Sequence, residues 1–476
     1  MRHLRIFLPS FILMWAFSAS AKVTLPAFFS SNMVVQQNTD CRFWGTASKD
    51  KTVKVSASWD KKSYSATADS DGHWNIKIRT PKAGGPFTIT FNDGEKTVLT
   101  NVMSGELWLC AGQSNMEMPM KGYNGQPVEG SADAIINSRN ANIRLFNVKR
   151  VATIEPQSDV TGQWNEASPE TVRNFSATAY FFGRMLQKVL DVPVGLIVAS
   201  WGGASCEAFM SRDMLKAFPQ VVLPTSQTDA DKKKQNCATA LYNGMIHPLV
   251  GTTIAGTIWY QGEDNWPRYA YYSDLFTTMV KSWREEWDEG DFPFYYCQIA
   301  PYDYRRITRA GQDTVNSAFL REQQLKAETM IPNSGMAVMM DIGLEKGIHP
   351  MKKQVSGERL ARLALVKTYG MQGVTAESPR YSGMEIHQDT VVCNFDKAPM
   401  WINSKGTFES NAFELAGEDR VFHPAKAQIV RQRIIVKSNY VPHPVAVRYA
   451  FKDWTIGDIF GDDLPVSSFR SDNWDK

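Results

Sequence analysis

Five short apolar runs, at residues 107–111, 194–200, 254–260, 294–300 and 336–341, recur along the middle of the chain, with longer stretches of helical character between them such as 175–190 and 352–369. Strands that alternate with helices are joined by crossovers, and crossovers produce a largely parallel sheet covered by helices on both faces. The pattern predicts an α/β core over residues 103–382. Before it, Val53, Val55, Ala57 and Trp59, then Trp74, Ile76 and Ile78, then Phe87, Ile89 and Phe91 alternate with polar residues between turns such as Asn92-Asp93-Gly94. Period-two alternation between turn residues predicts a small antiparallel β domain over residues 22–102. The chain becomes β-like again from about Gly383, with runs at 390–395, 429–437 and 445–451, so that 383–476 is expected to be a C-terminal β-rich region. There is no internal repeat and no low-complexity linker.

The 476 residues leave room for two or three domains, and 43% hydrophobic with 21% charged residues is the composition of a folded chain, not a disordered one. A net charge of +3 with no basic stripe argues against a nucleic-acid partner, whose phosphates demand clustered cations. Residues 1–21 carry Arg2 and Arg5, an apolar run from Ile6 to Phe17, and Ala19-Ser20-Ala21. This reads as a secretory signal, so the expectation is a protein exported to the periplasm or beyond. No later run reaches the length of a membrane span, and none is expected. The six cysteines, Cys41, Cys110, Cys206, Cys237, Cys297 and Cys393, are scattered without metal spacing. Most read as small buried apolar residues, with no metal or organic cofactor implied.

In open α/β sheets, ligands bind beyond the carboxyl ends of the strands. Four of the five runs are followed there by polar or glycine-rich motifs: Gly112-Gln113-Ser114-Asn115-Met116, Trp201-Gly202-Gly203, Gln261-Gly262-Glu263-Asp264-Asn265, and a stretch from Gly343 to Pro350 that contains His349. Together they supply a hydroxyl, glycine amides, a carboxamide and an imidazole, which are the groups that acyl transfer from an ester requires. A serine needs a base to remove its proton, and histidine suits that task near neutrality. The tetrahedral intermediate needs preorganised donors for its oxyanion, for which the Ser114 N–H, an N–H of Gly202 or Gly203, and the Asn265 side-chain amide are candidates. Ser114 does not sit in a G-x-S-x-G elbow, which excludes the α/β-hydrolase arrangement.

At these residues the sequence resembles the SGNH-hydrolase superfamily and, within it, the sialate O-acetylesterase family of carbohydrate esterases. The similar blocks are LWLCAGQSNMEMPM, SWGGASCEAF, IWYQGEDN and IHPMKKQVSGERLARLAL, and outside them NMVVQQ, FWGTA, DGHWNIKI, KAGGPFTIT, FELAGEDRVFHPAKAQI, PVAVRYAF and LPVSSFRSDNW. The resemblance implies a three-layer α/β/α core with a mainly parallel sheet, Ser114 as nucleophile, His349 as general base, and an oxyanion hole from Ser114, one of Gly202 and Gly203, and Asn265. It also implies removal of acetyl groups from carbohydrate hydroxyls through an acetyl-enzyme, with O-acetylated sialic acid as the preferred substrate. The superfamily commonly has Asp three residues before the histidine; here that position is Lys346, which leaves Glu345 and Asp341 as nearby candidates for a third member.

Several rival readings stay open in the sequence. Ile246-His247-Pro248 repeats the tripeptide around His349, but His247 precedes its strand and is expected at the opposite end of the sheet. Gln113, Gln261 and Glu263 are candidate substrate contacts, with loop hydrogen bonding as the plainer role. Trp108, Trp201, Trp259, Tyr260 and Trp266 could stack on a sugar or fill the core. The acetyl group could come from acetylxylan or another plant polysaccharide, and a non-catalytic carbohydrate-binding protein on a hydrolase scaffold is the reading from a different class.

Overall fold

The computed structural model describes residues 22–308, 315–396, 402–404, 409–430 and 433–474; the expected signal, residues 1–21, lies outside them. The largest sheet runs, edge to edge, Ser334–Ala337, Phe294–Cys297, Gly256–Tyr260, Lys96–Gly112, Val194–Ser200, Asn140–Asn147 and Trp164–Ala167. All these pairings are parallel except the last, where Trp164–Ala167 closes the edge antiparallel. This is the α/β core anticipated from the five apolar runs. The central strand Lys96–Gly112 has Val194–Ser200 on one side and Gly256–Tyr260 on the other. Strand order reverses there, and the carboxyl ends of the three strands leave a crevice into which Ser114 emerges.

Strands buried on both faces must be apolar on both, and side-chain alternation divides them between two cores. Trp259 points to one face, with Phe276, Trp283 and Trp287 of the helix Tyr272–Trp287. Ile258, Tyr260, Trp108 and Tyr295 point to the other, against the helices Ala177–Leu190 and Lys353–Leu363. These two helices lie so close that a Cβ on Gly357 would stand 2.6 Å from the Thr178 carbonyl oxygen and 2.7 Å from Phe181 Cβ. The Ala177–Leu190 helix begins at Ser176, whose hydroxyl accepts from the Ala179 N–H, and ends at Asp191 in the left-handed conformation.

The strand Lys96–Gly112 is 17 residues long and serves two environments. Its first half pairs antiparallel with Gly84–Asn92, part of a small sheet that also holds Thr52–Ala57 and Ser63–Thr67; its second half is the middle of the core sheet. The boundary expected between residues 102 and 103 falls inside this unbroken strand. At the other end of the chain, seven antiparallel strands form a second sheet, from Arg380–His387 to Phe469–Arg470. The run 429–437 is not one strand but the two arms of a hairpin, Phe422–Val430 and Arg433–Lys437, with Val430 opposite Arg433. All six cysteines are buried and free.

The C-terminal segment is held to the core by a buried arginine. Arg321, fully buried on the helix Ala318–Met330, donates to Ser468 Oγ at 3.0 Å, to Ser317 Oγ at 3.3 Å and to the carbonyls of Ala450 and Lys452. Arg470 forks onto Glu322 at 2.8 and 2.9 Å beside it. Removing one partner strands the other buried polar groups, and each costs about 1–3 kcal/mol. Arg321→Met is therefore expected to lower unfolding free energy by about 3 kcal/mol, measured by urea denaturation, whereas Arg470→Met at the half-buried rim should cost less.

Candidate active site

The strand Lys96–Gly112 stops abruptly because Gly112 adopts φ +136°, and a Cβ there would lie 2.2 Å from the Tyr260 carbonyl oxygen. Only glycine permits that turn beside the neighbouring strand. The chain then enters a single helical turn, Ser114–Glu117, with Ser114 as its first residue. Neither the Ser114 N–H nor its hydroxyl is bonded to a described residue. The first N–H groups of a helix lack intrahelical acceptors, so the Ser114 amide remains available to a ligand.

The glycine loop crosses directly over this turn. A Cβ on Gly202 would sit 3.3 Å from Ser114 Cβ and 3.0 Å from Glu117 Oε2. The Gly202 N–H donates to Glu117 Oε2 at 2.8 Å, whereas the Gly203 N–H, at a residue with φ +73°, meets no acceptor among the described residues. Of the two glycines, Gly202 is thus tied to Glu117 while the Gly203 N–H stays free of described acceptors.

His349 reaches the same crevice from the loop after Ser334–Ala337. Its Nδ1 faces Gln126 Oε1 at 2.6 Å, and its ring meets Tyr123 edge-on with centroids 5.2 Å apart. Tyr123 in turn donates to the Ser114 carbonyl at 3.4 Å and to Glu117 at 3.2 Å. Burial, aided by the cation of Lys353, pushes the His349 imidazole down to about 4. The imidazole is therefore neutral at physiological pH. With Nδ1–H donating to Gln126, Nε2 carries the free lone pair of a base.

Beneath these groups lies a buried polar network. Asn115 donates to Glu263 Oε1 and, at 3.2 Å, to the Ile348 carbonyl, while its own oxygen accepts from Lys353 Nζ. Asn115 and Lys353 are fully buried and Glu263 nearly so. Burial pushes the Glu263 carboxyl up against the opposing pull of Asn115 and Lys353, and pushes the Lys353 ammonium down to about 7 against the pull of Glu263.

The structure engages several of the candidates elsewhere. Asn265 is fully buried, its amide nitrogen donating to Glu207 at 2.9 Å and its oxygen accepting from Cys206 N and Gln261. Asp341 is claimed by a two-bond fork from Arg359 at 2.7 and 2.8 Å, and Glu345 is an exposed residue beside Arg306; neither bonds to His349, whose partner is Gln126. Gln113 accepts from the N–H groups of Gly262 and Asp264, Gln261 bonds to Ala204, Asn265 and Tyr272, and Glu263 holds Asn115. All three are buried and brace the loops. Of the five aromatic candidates, Trp108, Trp259, Tyr260 and Trp266 are core and Trp201 is half-buried. His247 lies in a different cleft with Tyr242 and Glu286, its Nδ1 against the Gln157 carbonyl at 2.9 Å.

Sequence reasoning missed Gln126, Tyr123, Glu117, Arg150 and Lys353. One of these had a readable signal: Glu117 lies three residues after Ser114, a spacing that shares a helix face, whereas Lys353 opens the helix Lys353–Leu363 and His349 lies in the loop before it. The others come from loops without periodicity.

A serine at a helix start, a neutral imidazole and two free amides form a serine-hydrolase arrangement on an SGNH-type α/β sheet. The chain is a carboxylic ester hydrolase of the carbohydrate-esterase class. A family profile described as carbohydrate esterase, sialic acid-specific acetylesterase, matches residues 104–364. The sialate O-acetylesterase of Homo sapiens is 30% identical over 413 residues, covering 79% of this chain and 77% of the human protein, and that of Mus musculus is 25% identical over 498 residues, covering 92% and 91%. The crystal structure of a carbohydrate acetylesterase from Xanthomonas citri superposes with a TM-score of 0.85 at 33% identity, covering 95% of this chain and 100% of that one. The chain belongs to the sialic acid-specific acetylesterase family.

Because the neutral imidazole is the form able to take a proton, kcat/KM is expected to fall only as pH drops through about 4, not through 6.5. Placing a carboxylate against Nδ1 favours the imidazolium, so Gln126→Glu should move this acid limb upward in a pH–rate profile. Glu345→Gln should leave both the limb and the rate within about threefold, since substitutions remote from the reacting groups have small effects.

Proposed function

We propose that the protein hydrolyses O-acetyl esters of sialic acid through an acetyl-enzyme formed on Ser114. The observation that carries this reading is that Tyr123 joins the two reacting groups at the reversal point of the sheet, its hydroxyl on the Ser114 carbonyl and its ring against the neutral imidazole of His349. Ser114 Oγ attacks the acetyl carbonyl while His349 Nε2 takes its proton. The N–H groups of Ser114 and Gly203 receive the oxyanion, and the loss of one such donor costs about a hundredfold to a thousandfold in turnover. His349 then returns the proton to the departing sugar hydroxyl. Water, deprotonated by the same nitrogen, releases acetate.

Gln126 orients the ring but carries no charge to stabilise the imidazolium, so the site works as a Ser–His dyad with an amide as third partner. The sialic acid preference is supported by the family and by the activity for which the mammalian relatives are named. Export is supported by the reading of residues 1–21; the protein purified from the periplasm or medium should then begin near Lys22, as read by N-terminal sequencing.

Ser114→Ala should abolish acetate release from acetylated sialic acid while leaving the thermal unfolding curve in place. Wild-type protein should prefer acetylated sialic acid to acetylated xylan in side-by-side acetate assays. The opposite ranking would transfer the proposal to plant polysaccharide esters, and absence of turnover on both and on an aryl acetate would remove it.

A further inference from the structure

We propose that Arg150 is the specificity-determining residue of this site and binds the carboxylate of an acidic acetylated sugar; the proposal rests on the sialic acid reading above. Arg150 is a half-exposed cation beside the serine turn and the glycine loop. Its side chain is 51% exposed and forms an ion pair through Nη2 with Glu117, whose other oxygen holds the Gly202 N–H beside Ser114. The guanidinium also lies over the indole of Trp201, 5.8 Å from the ring centroid, and Trp201 immediately precedes the glycine loop. Two contacts therefore aim the side chain toward the space above the serine.

A guanidinium has five N–H donors in a planar fork. One is used by Glu117, and the others have no acceptor among the described residues, so a second carboxylate can be held alongside the first. Two other cations near the site lack that freedom. Lys353 is fully buried under the site, and Arg268 is shared between Glu207 at 3.3 Å and Asp264 at 2.9 Å. A neutral polysaccharide offers no group for such a fork, whereas a sialic acid carries a carboxylate on the same ring system as its acetyl esters.

Glu117 gives the arrangement a second edge. Its carboxylate lies close to Ser114, and without a paired cation it would repel both an acidic substrate and the developing oxyanion. Arg150 thus recognises the carboxylate and neutralises Glu117 at once. A simple activity loss in an Arg150 variant would mix these two effects. Comparing an acid with its own methyl ester cancels the Glu117 effect on the oxyanion, which is common to both, and Arg150→Lys keeps Glu117 paired, so a preference reduced in that variant reports the lost fork and not an unpaired Glu117.

The experiment measures kcat/KM for acetate release from O-acetylated sialic acid and from its methyl ester, in wild type, Arg150→Gln and Arg150→Lys, with thermal unfolding as the fold control. Wild type should favour the acid by about tenfold to a hundredfold, the range expected of a charge-assisted hydrogen bond. The preference should lie mainly in KM, fall to about one in Arg150→Gln and be partly kept in Arg150→Lys. A wild type that releases acetate from both compounds equally well, or an Arg150→Gln variant that keeps the preference, would overturn the role of Arg150 and leave the esterase reading intact. Failure of wild type to act on either sialic acid compound while still cleaving an aryl acetate would overturn the substrate reading, and the role of Arg150 with it.

Discussion

The site depends on one buried amide. Asn115 follows Ser114 and binds the carbonyl of Ile348, the residue before His349, so that a single side chain joins the two loops which carry the reacting groups. Its remaining hydrogen-bonding capacity is taken by Glu263 and Lys353. A carboxylate and an ammonium buried without direct contact would each be costly, and the amide between them gives Glu263 Oε1 and Lys353 Nζ a partner with opposite ends of its dipole, while Glu263 Oε2 has none among the described residues. The geometry of serine and histidine is thus set from below, by groups that never meet the substrate.

The same network explains the electrostatic character of the histidine. In a triad with a carboxylate, the imidazolium is stabilised and the histidine titrates higher; here the neighbours are a neutral amide, an aromatic ring and a buried cation. The ring is oriented as a base yet discouraged from holding the proton it receives. A proton that is held weakly is returned readily to a leaving alcohol.

Much of the fold was legible because it rests on periodicity. The strand Val194–Ser200 coincides with its apolar run, and the helix Ala177–Leu190 lies within the stretch that reads as helical. Turns without a marked residue were not legible: between the paired Val430 and Arg433 the sequence has no Gly, Pro or Asn, and the alternation on both sides reads as one strand. In the site, Ser114 and His349 announced themselves through their place after strands. Asn265 stands in an equally suggestive place, yet it is fully buried and the three hydrogen bonds that hold its side chain come from residues 4 to 59 positions away. Gln126 and His349 are 223 residues apart, and no local pattern relates two loops at that distance. Chemistry that needs a strand end is visible in a sequence, whereas chemistry that needs one loop to touch another is not.

The 17-residue strand that begins in the outer β sheet and ends at Gly112 gives that sheet a mechanical office. A strand advances about 3.3 Å per residue and turns its side chains over at each step, so a slip of one position would carry Ser114 out of reach of its partners and invert the core face behind it. The antiparallel ladder between Gly84–Asn92 and the first half of the strand pins that position from outside the core. The small N-terminal sheet thereby acts as the gauge stop of the catalytic serine, and cutting the chain anywhere within 96–112 would sever the stop from the part it sets.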